Sequence, residues 1–185
     1  MSLIVESGAG IAGADSYLAL AEADAHHAAR GEPAWAAASV TAREAALRRA
    51  TAGVDGVFAG RWKGSKAVAW SVHGLAWPRR DVVDEAGDAI VGPDQIPFAL
   101  KVAVAAAALL ELGRPGGLAE ATRSIRRFAL GPLSVEYAGD GAVPPGIALP
   151  LAPLLRDAAP PVPRLDPPSS PPSPFRVGLH DGETP

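Results

Sequence analysis

Thirteen of the 19 prolines in this 185-residue chain fall between Pro144 and Pro185, and nine of them lie in the last 30 residues, from Arg156 onward. Proline fixes φ and removes the backbone donor, so neither a helix nor a central strand runs through such a stretch. The chain therefore divides into a body, residues 1–155, and an extended, partly polyproline arm, residues 156–185. The arm carries a small apolar cluster near its end, Phe175-Arg176-Val177-Gly178-Leu179. A solvated linker has no use for that cluster, although a tail without a role is the plainer alternative. On the first reading Pro160, Pro161, Pro163, Pro167 and Pro168 belong to the spacer, and Phe175, Val177 and Leu179 are the anchors.

The body is rich in alanine, which supplies 39 of 185 positions, nearly all before Leu155. Alanine is the best helix former. Asp15-Ser16 stand before an apolar pattern (Tyr17, Leu18, Ala21, Ala25, Ala28) and predict a helix capped by Asp15 that runs to about Ala29. Thr41-Ala42-Arg43-Glu44 spells a capping box for a second helix with Leu47, Ala50 and Val54 inward. Pro97 suits the first turn of a third, from Phe98 to Leu112, stopped at Gly113. That helix is apolar nearly all round, which places it at the centre. Short extended pieces are expected over 82–91 and 126–137, and a last short helix over 147–155. The predicted fold is mainly α: a small bundle of three to five helices with short β elements and the long arm.

Several function classes find no support. Cysteine is absent, so there is no disulfide framework, thiolate zinc site or cysteine nucleophile. The longest uncharged apolar run, Val102 to Leu110, has nine residues, whereas a membrane span needs about 20. An acid at Glu6 comes too early for a signal peptide. Gly8-Ala9-Gly10-Ile11-Ala12-Gly13 spells G-x-G-x-x-G, but no second β-branched run follows it, so it reads as a flexible lead-in to the first helix. His26-His27 are helix neighbours about 100° apart, a surface pair and not an i, i+4 metal pair. No acid, base and nucleophile have a reason to meet. The reading is of a protein that is not an enzyme and needs no cofactor or metal.

Charge is more informative. The net charge of −3 hides blocks: +6 over residues 41–80, −5 over 81–100 and +3 over 114–127. Such alternation suits head-to-tail contacts between identical subunits. Arg61, Lys63, Lys66, Arg79 and Arg80 would then meet a neighbour's acidic turn, Asp84, Glu85 and Asp88. The basic block also interleaves Trp62, Trp70 and Trp77, a pattern that can contact phosphates and stack bases. Solvated surfaces around core tryptophans are the third possibility.

The body also carries a series of short motifs in order. These are Ile4-Val5-Glu6, Gly8 and Gly10, Ala14-Asp15-Ser16-Tyr17, Glu44-Ala45-Ala46-Leu47-Arg48-Arg49-Ala50-Thr51, Gly60-Arg61-Trp62-Lys63-Gly64, Leu75-Ala76-Trp77-Pro78-Arg79, Ile96-Pro97, and Gly131-Pro132-Leu133 with Val135-Glu136-Tyr137. In these the chain resembles a tailed-bacteriophage family often labelled DnaT-like single-stranded-DNA-binding, whose members sit among head–tail connector genes. The resemblance spans about residues 3 to 155 and leaves the arm out. It implies a virion head–tail adaptor: a ring of about twelve copies in the neck beneath the portal. That ring would be made in the host cytoplasm, would contact the portal and a tail-side stopper or terminator protein, and would let genomic DNA pass through its lumen. No membrane is involved. The arm would then insert into the portal. The label itself implies the alternative, a single-stranded-DNA-binding replication accessory.

Overall fold

The computed structural model describes residues 2–70, 72–121, 128–130, 133–135 and 143–156. Six α-helices are present among them: α1 Leu20–Ala28, α2 Pro33–Ala37, α3 Val40–Val57, α4 Phe98–Gly113, α5 Gly117–Ala121 and α6 Pro145–Leu151, the last continued by a 3-10 turn over Ala152–Leu154. Two antiparallel hairpins complete the set: β1 Ser65–Lys66 with β2 Arg79–Arg80, and β3 Phe128–Leu130 with β4 Leu133–Val135. The fold is mainly α, as the alanine pattern predicts.

Helix α4 is the centre, packed against α1, α3, α5 and α6. It buries Leu100, Ala103, Val104, Ala105, Ala107 and Ala108, and the small side chains let α3 come close with Ala46, Leu47, Ala50 and Val54. Gly53 reads in sequence as a weak point of α3. In the fold a Cβ there would stand 3.0 Å from Leu118, so the bare backbone admits α5.

Local starts differ from expectation. Helix α1 begins at Leu20, where the Ala19 amide donates to Glu22 Oε2. Asp15 does not cap it. Its carboxylate accepts from the Ile4 amide at 2.9 Å and meets Arg48 Nε at 2.6 Å, tying the N-terminal segment to α3. The α3 cap is Ser39, whose Oγ accepts from the Ala42 amide, because Thr41 already lies inside the helix. Helix α2, opened by Pro33, is too short for the apolar pattern to announce. It presents Trp35, whose indole N–H donates to Asp24. Residues 82–91 form a tight acidic turn with one β-bridge, Val83 to Ala89, and no full strands.

A second corner is stapled by the chain's late segment. Lys63 N donates to Leu154 O at 2.9 Å, and Arg156 N donates to Arg61 O at 2.7 Å. The point from which residues 157–185 continue is thereby fixed beside Trp62.

Candidate functional site

The glycine loop is closed on itself. Glu6 is fully buried, and its carboxylate accepts from the amides of Gly8 (2.7 Å), Gly10 (2.8 Å) and Ile11 (2.7 Å). Backbone amides converging in this way would hold a ligand phosphate in a dinucleotide site. Here the chain supplies the anion. His73 Nε2 stands 2.7 Å from Glu6 Oε2, with both side chains out of solvent, at a geometry short of a regular hydrogen bond. Gly8 has φ +113°, and a Cβ would lie 1.8 Å from Asp94 O, so only glycine lets the loop pass residue 94. The spelling serves structure and not a cofactor.

His26-His27 is not a surface pair. His27 is buried, its ring 4.3 Å from that of Trp35, and burial first, then the His26 charge, push it down to about 4. Among the described residues no group of three or more His, Asp or Glu could hold a metal, and no helix is long and apolar enough to cross a membrane.

The tryptophans separate sharply. Trp62 and Trp77 are core residues, at 3% and 0% exposure, stacked edge to face with centroids 5.8 Å apart. They have no face to offer a base, which corrects the expectation for Trp62 as a surface residue and for the three-tryptophan stacking set. Apolar burial explains it, since a chain this poor in aromatics uses its largest rings as core. Trp70 alone stays out, at 65% exposure.

Trp70 edges a cleft of about 420 Å³ at the end of α3, with Asp55, Trp62, Arg79 and Arg156 on its walls and Gly56, Gly60 and Gly74 leaving it open. Arg79 donates from Nε to Lys63 O (2.7 Å), from one terminal nitrogen to Gly64 O (2.9 Å) and from the other to Ala76 O (3.3 Å). Arg156 donates to the same Gly64 carbonyl at 3.1 Å. One carbonyl therefore orients two guanidinium groups. Burial first, and the Arg156 charge next, act against the Arg79 cation. Gly64 sits at φ +64°, where a Cβ would meet Arg80 O at 2.1 Å, so this carbonyl is placed by a glycine. Lys66 Nζ stands 3.3 Å from the Trp70 ring centroid and donates to His73 O. Asp55 accepts from the Tyr17 hydroxyl (2.7 Å) and the Ala76 amide (2.8 Å). Burial pushes its carboxyl up to about 6, and burial together with Asp55 pushes the Tyr17 hydroxyl up.

The remaining predicted residues are scattered in role. Arg61 is exposed, its guanidinium 5.6 Å from the Phe58 ring. Arg80 donates to Ala67 O. Asp84 caps its own turn through the Ala86 and Asp88 amides, both at 2.9 Å, while Glu85 and Asp88 are exposed. Lys63, Arg156, Asp84 and Glu85 line one further cleft. The basic and acidic blocks thus adjoin within a single chain, and contact with a neighbour competes with attraction inside the protomer. Elsewhere the basic block is taken up by ion pairs: Arg43 with Asp24, Arg48 with Asp15 and Arg49 with Glu111. Pro160, Pro161, Pro163, Pro167, Pro168, Phe175, Val177 and Leu179 lie outside the described residues.

Sequence reading misses two features. Buried Glu111 accepts from the Gly116 and Leu118 amides and so holds the start of α5, but a lone acid in an apolar helix carries no signal of that. The other is an apolar ridge. Phe98, 81% exposed, projects from the first turn of α4 between two grooves, a mixed one where Glu22, Arg30 and Lys101 join Leu18, Ile96 and Val102, and an apolar one with Ile90, Ile96 and Leu154. Leu149 on α6 is 71% exposed.

The sequence profile of a family described as "Putative DnaT-like ssDNA binding protein" matches residues 1–159. No curated protein and no solved structure matches the chain.

Proposed function

This chain belongs to the family of DnaT-like single-stranded-DNA-binding proteins, and we propose, on its surface and not on that description, that it works as a non-enzymatic assembly protein, a head–tail adaptor that joins copies of itself and seats them under a portal. The observation that supports this best is the ridge at Phe98. An aromatic side chain left 81% exposed on the helix that organises the whole core, beside a groove of Ile90, Val91, Ile96 and Leu154, is an exposed apolar surface, and Glu22, Arg30 and Lys101 rim its other side. Contiguous exposed apolar surface marks protein contacts more than nucleic-acid contacts. The basic block, in contrast, is largely occupied by ion pairs and backbone carbonyls. The adaptor role, the ring and the portal rest on the motif resemblance and on this surface.

The test of the adaptor role is deletion of residues 160–185 followed by pull-down on portal rings. Full-length protein is expected to bind the portal and the truncated chain to lose it. Undiminished binding by the truncated chain would overturn the arm's part, and no binding by either would overturn the role.

A second reading is single-stranded-DNA binding, which the family description names. The exposed Trp70 beside Lys66, Arg79 and Arg156 favours it. Filter binding across a salt series decides it. Tight binding with a steep salt slope, reduced by joint replacement Lys66→Ala and Arg156→Ala, supports the second reading, because removing a cation that neutralises a phosphate flattens the slope, and absence of binding at low salt would overturn it.

A further inference from the structure

Three facts about the Trp70 cleft remain without a structural purpose. The indole is the one tryptophan of four left in solvent, although the other three show that the core takes such rings. One of its faces is covered by Lys66 Nζ at 3.3 Å, which leaves the other. Two guanidinium groups converge on the cleft through their shared hold on Gly64 O, and no acidic side chain among the described residues is hydrogen-bonded to either. The nearby acid, Asp55, is engaged by Tyr17 and the Ala76 amide. A guanidinium carries five N–H groups, of which the side-chain bonds to carbonyls use three at Arg79 and one at Arg156; those that remain can take an oxyanion, and guanidinium forks match phosphate. A bare indole face invites a flat ring. The space, about 420 Å³, lies within the range of about 300–1,000 Å³ usual for small-molecule sites.

We propose that this cleft binds a single nucleotide unit, with the base on the open face of Trp70 and the phosphate at Arg79 and Arg156. A carboxylate from a protein partner would satisfy the cations and leave the indole bare, and an apolar partner would do the reverse. A nucleotide does both. Its source is either a free nucleotide or one unit of a single strand. The inference shares its chemistry with the second reading above and goes beyond the assembly reading.

The test is isothermal titration of the full chain with thymidine monophosphate, thymidine, inorganic phosphate and an oligothymidylate, on the wild type and on Trp70→Ala and Arg156→Ala. Both replacements are on the surface and should leave the fold intact, as circular dichroism would report. The monophosphate is expected to bind at one site per chain. Thymidine and phosphate alone should each bind about tenfold more weakly, and each replacement should weaken the monophosphate by about tenfold. Absence of monophosphate binding, or binding by either variant as tight as the wild type's, overturns the proposal. If oligothymidylate binds wild type and Trp70→Ala alike, the inference falls and strand binding stands on another surface. If the monophosphate binds at Trp70 and the oligomer adds nothing, the inference stands and strand binding falls.

Discussion

Two loops of this protein gather glycine beside charge, and they end in opposite states. At the N-terminus, the loop that spells a ligand motif folds its amides onto Glu6 and is full. At the end of α3, a cleft that spells nothing recognisable leaves Trp70 exposed, with two guanidinium groups on its wall that are held by backbone carbonyls and not by an acid. A motif describes a backbone shape, and what fills that shape is decided by which side chain is near. Glu6 lies two residues before Gly8 and reaches the amides before any ligand could.

Breaking the closed loop should have the largest effect. Glu6→Ala strands three backbone amides and His73 in the interior, a cost of about 3–5 kcal/mol. A fall of about 10 °C or more in the thermal midpoint is expected, and a fall under about 2 °C would show that water takes the carboxylate's place. Gly8→Ala must move residue 94 and adopt φ +113°, for about 2–4 kcal/mol, read from the shift of the denaturant midpoint.

The closed and open regions also respond differently to acid. His27 is held down to about 4, below its ordinary 6.5, so its part of the stability is whole above pH 6.5 and is lost as pH falls toward 4. Asp55 is held up to about 6, above 3.8, so its part is whole below pH 3.8 and is lost as pH rises through 6. The two oppose each other between pH 4 and 6. Asp55→Asn removes one of them. The midpoint of that variant should drop by several degrees more than the wild type between pH 6 and 4, and parallel curves would refute the opposition. The smallest effect belongs to the open cleft. Trp70→Ala should alter stability by no more than about 0.5 kcal/mol in chemical denaturation, because the ring buries little. A larger loss would make Trp70 a packing residue and blunt the contrast.

The helices are legible in the sequence because periodic alanine and leucine report a buried face directly, and α4 announces its centrality by being apolar all round. Caps are legible only to within a few residues, since Ser39 and Thr41 are chemically equivalent and tertiary packing chooses between them. The segment 61–80 is not legible. Its tryptophans read equally as core and as surface, and burial alone separates Trp62 and Trp77 from Trp70. Charge blocks mislead for a similar reason. Sequence counts charges, and the fold commits many of them to partners, as Arg43 on Asp24 and Arg49 on Glu111 show. Phe98 is legible as the start of a helix but not as a ridge, because only the packing of α1, the 3-10 turn over Ala152–Leu154 and the segment 90–97 around it leaves its ring in solvent.

That ridge carries the central claim, and sedimentation velocity on the full chain and on Phe98→Asp tests it most directly. The wild type is expected to form one discrete oligomer and the variant to sediment as a folded monomer, with an unchanged circular dichroism spectrum. A wild type that stays monomeric at high concentration, or a variant that assembles as the wild type does, would contradict it.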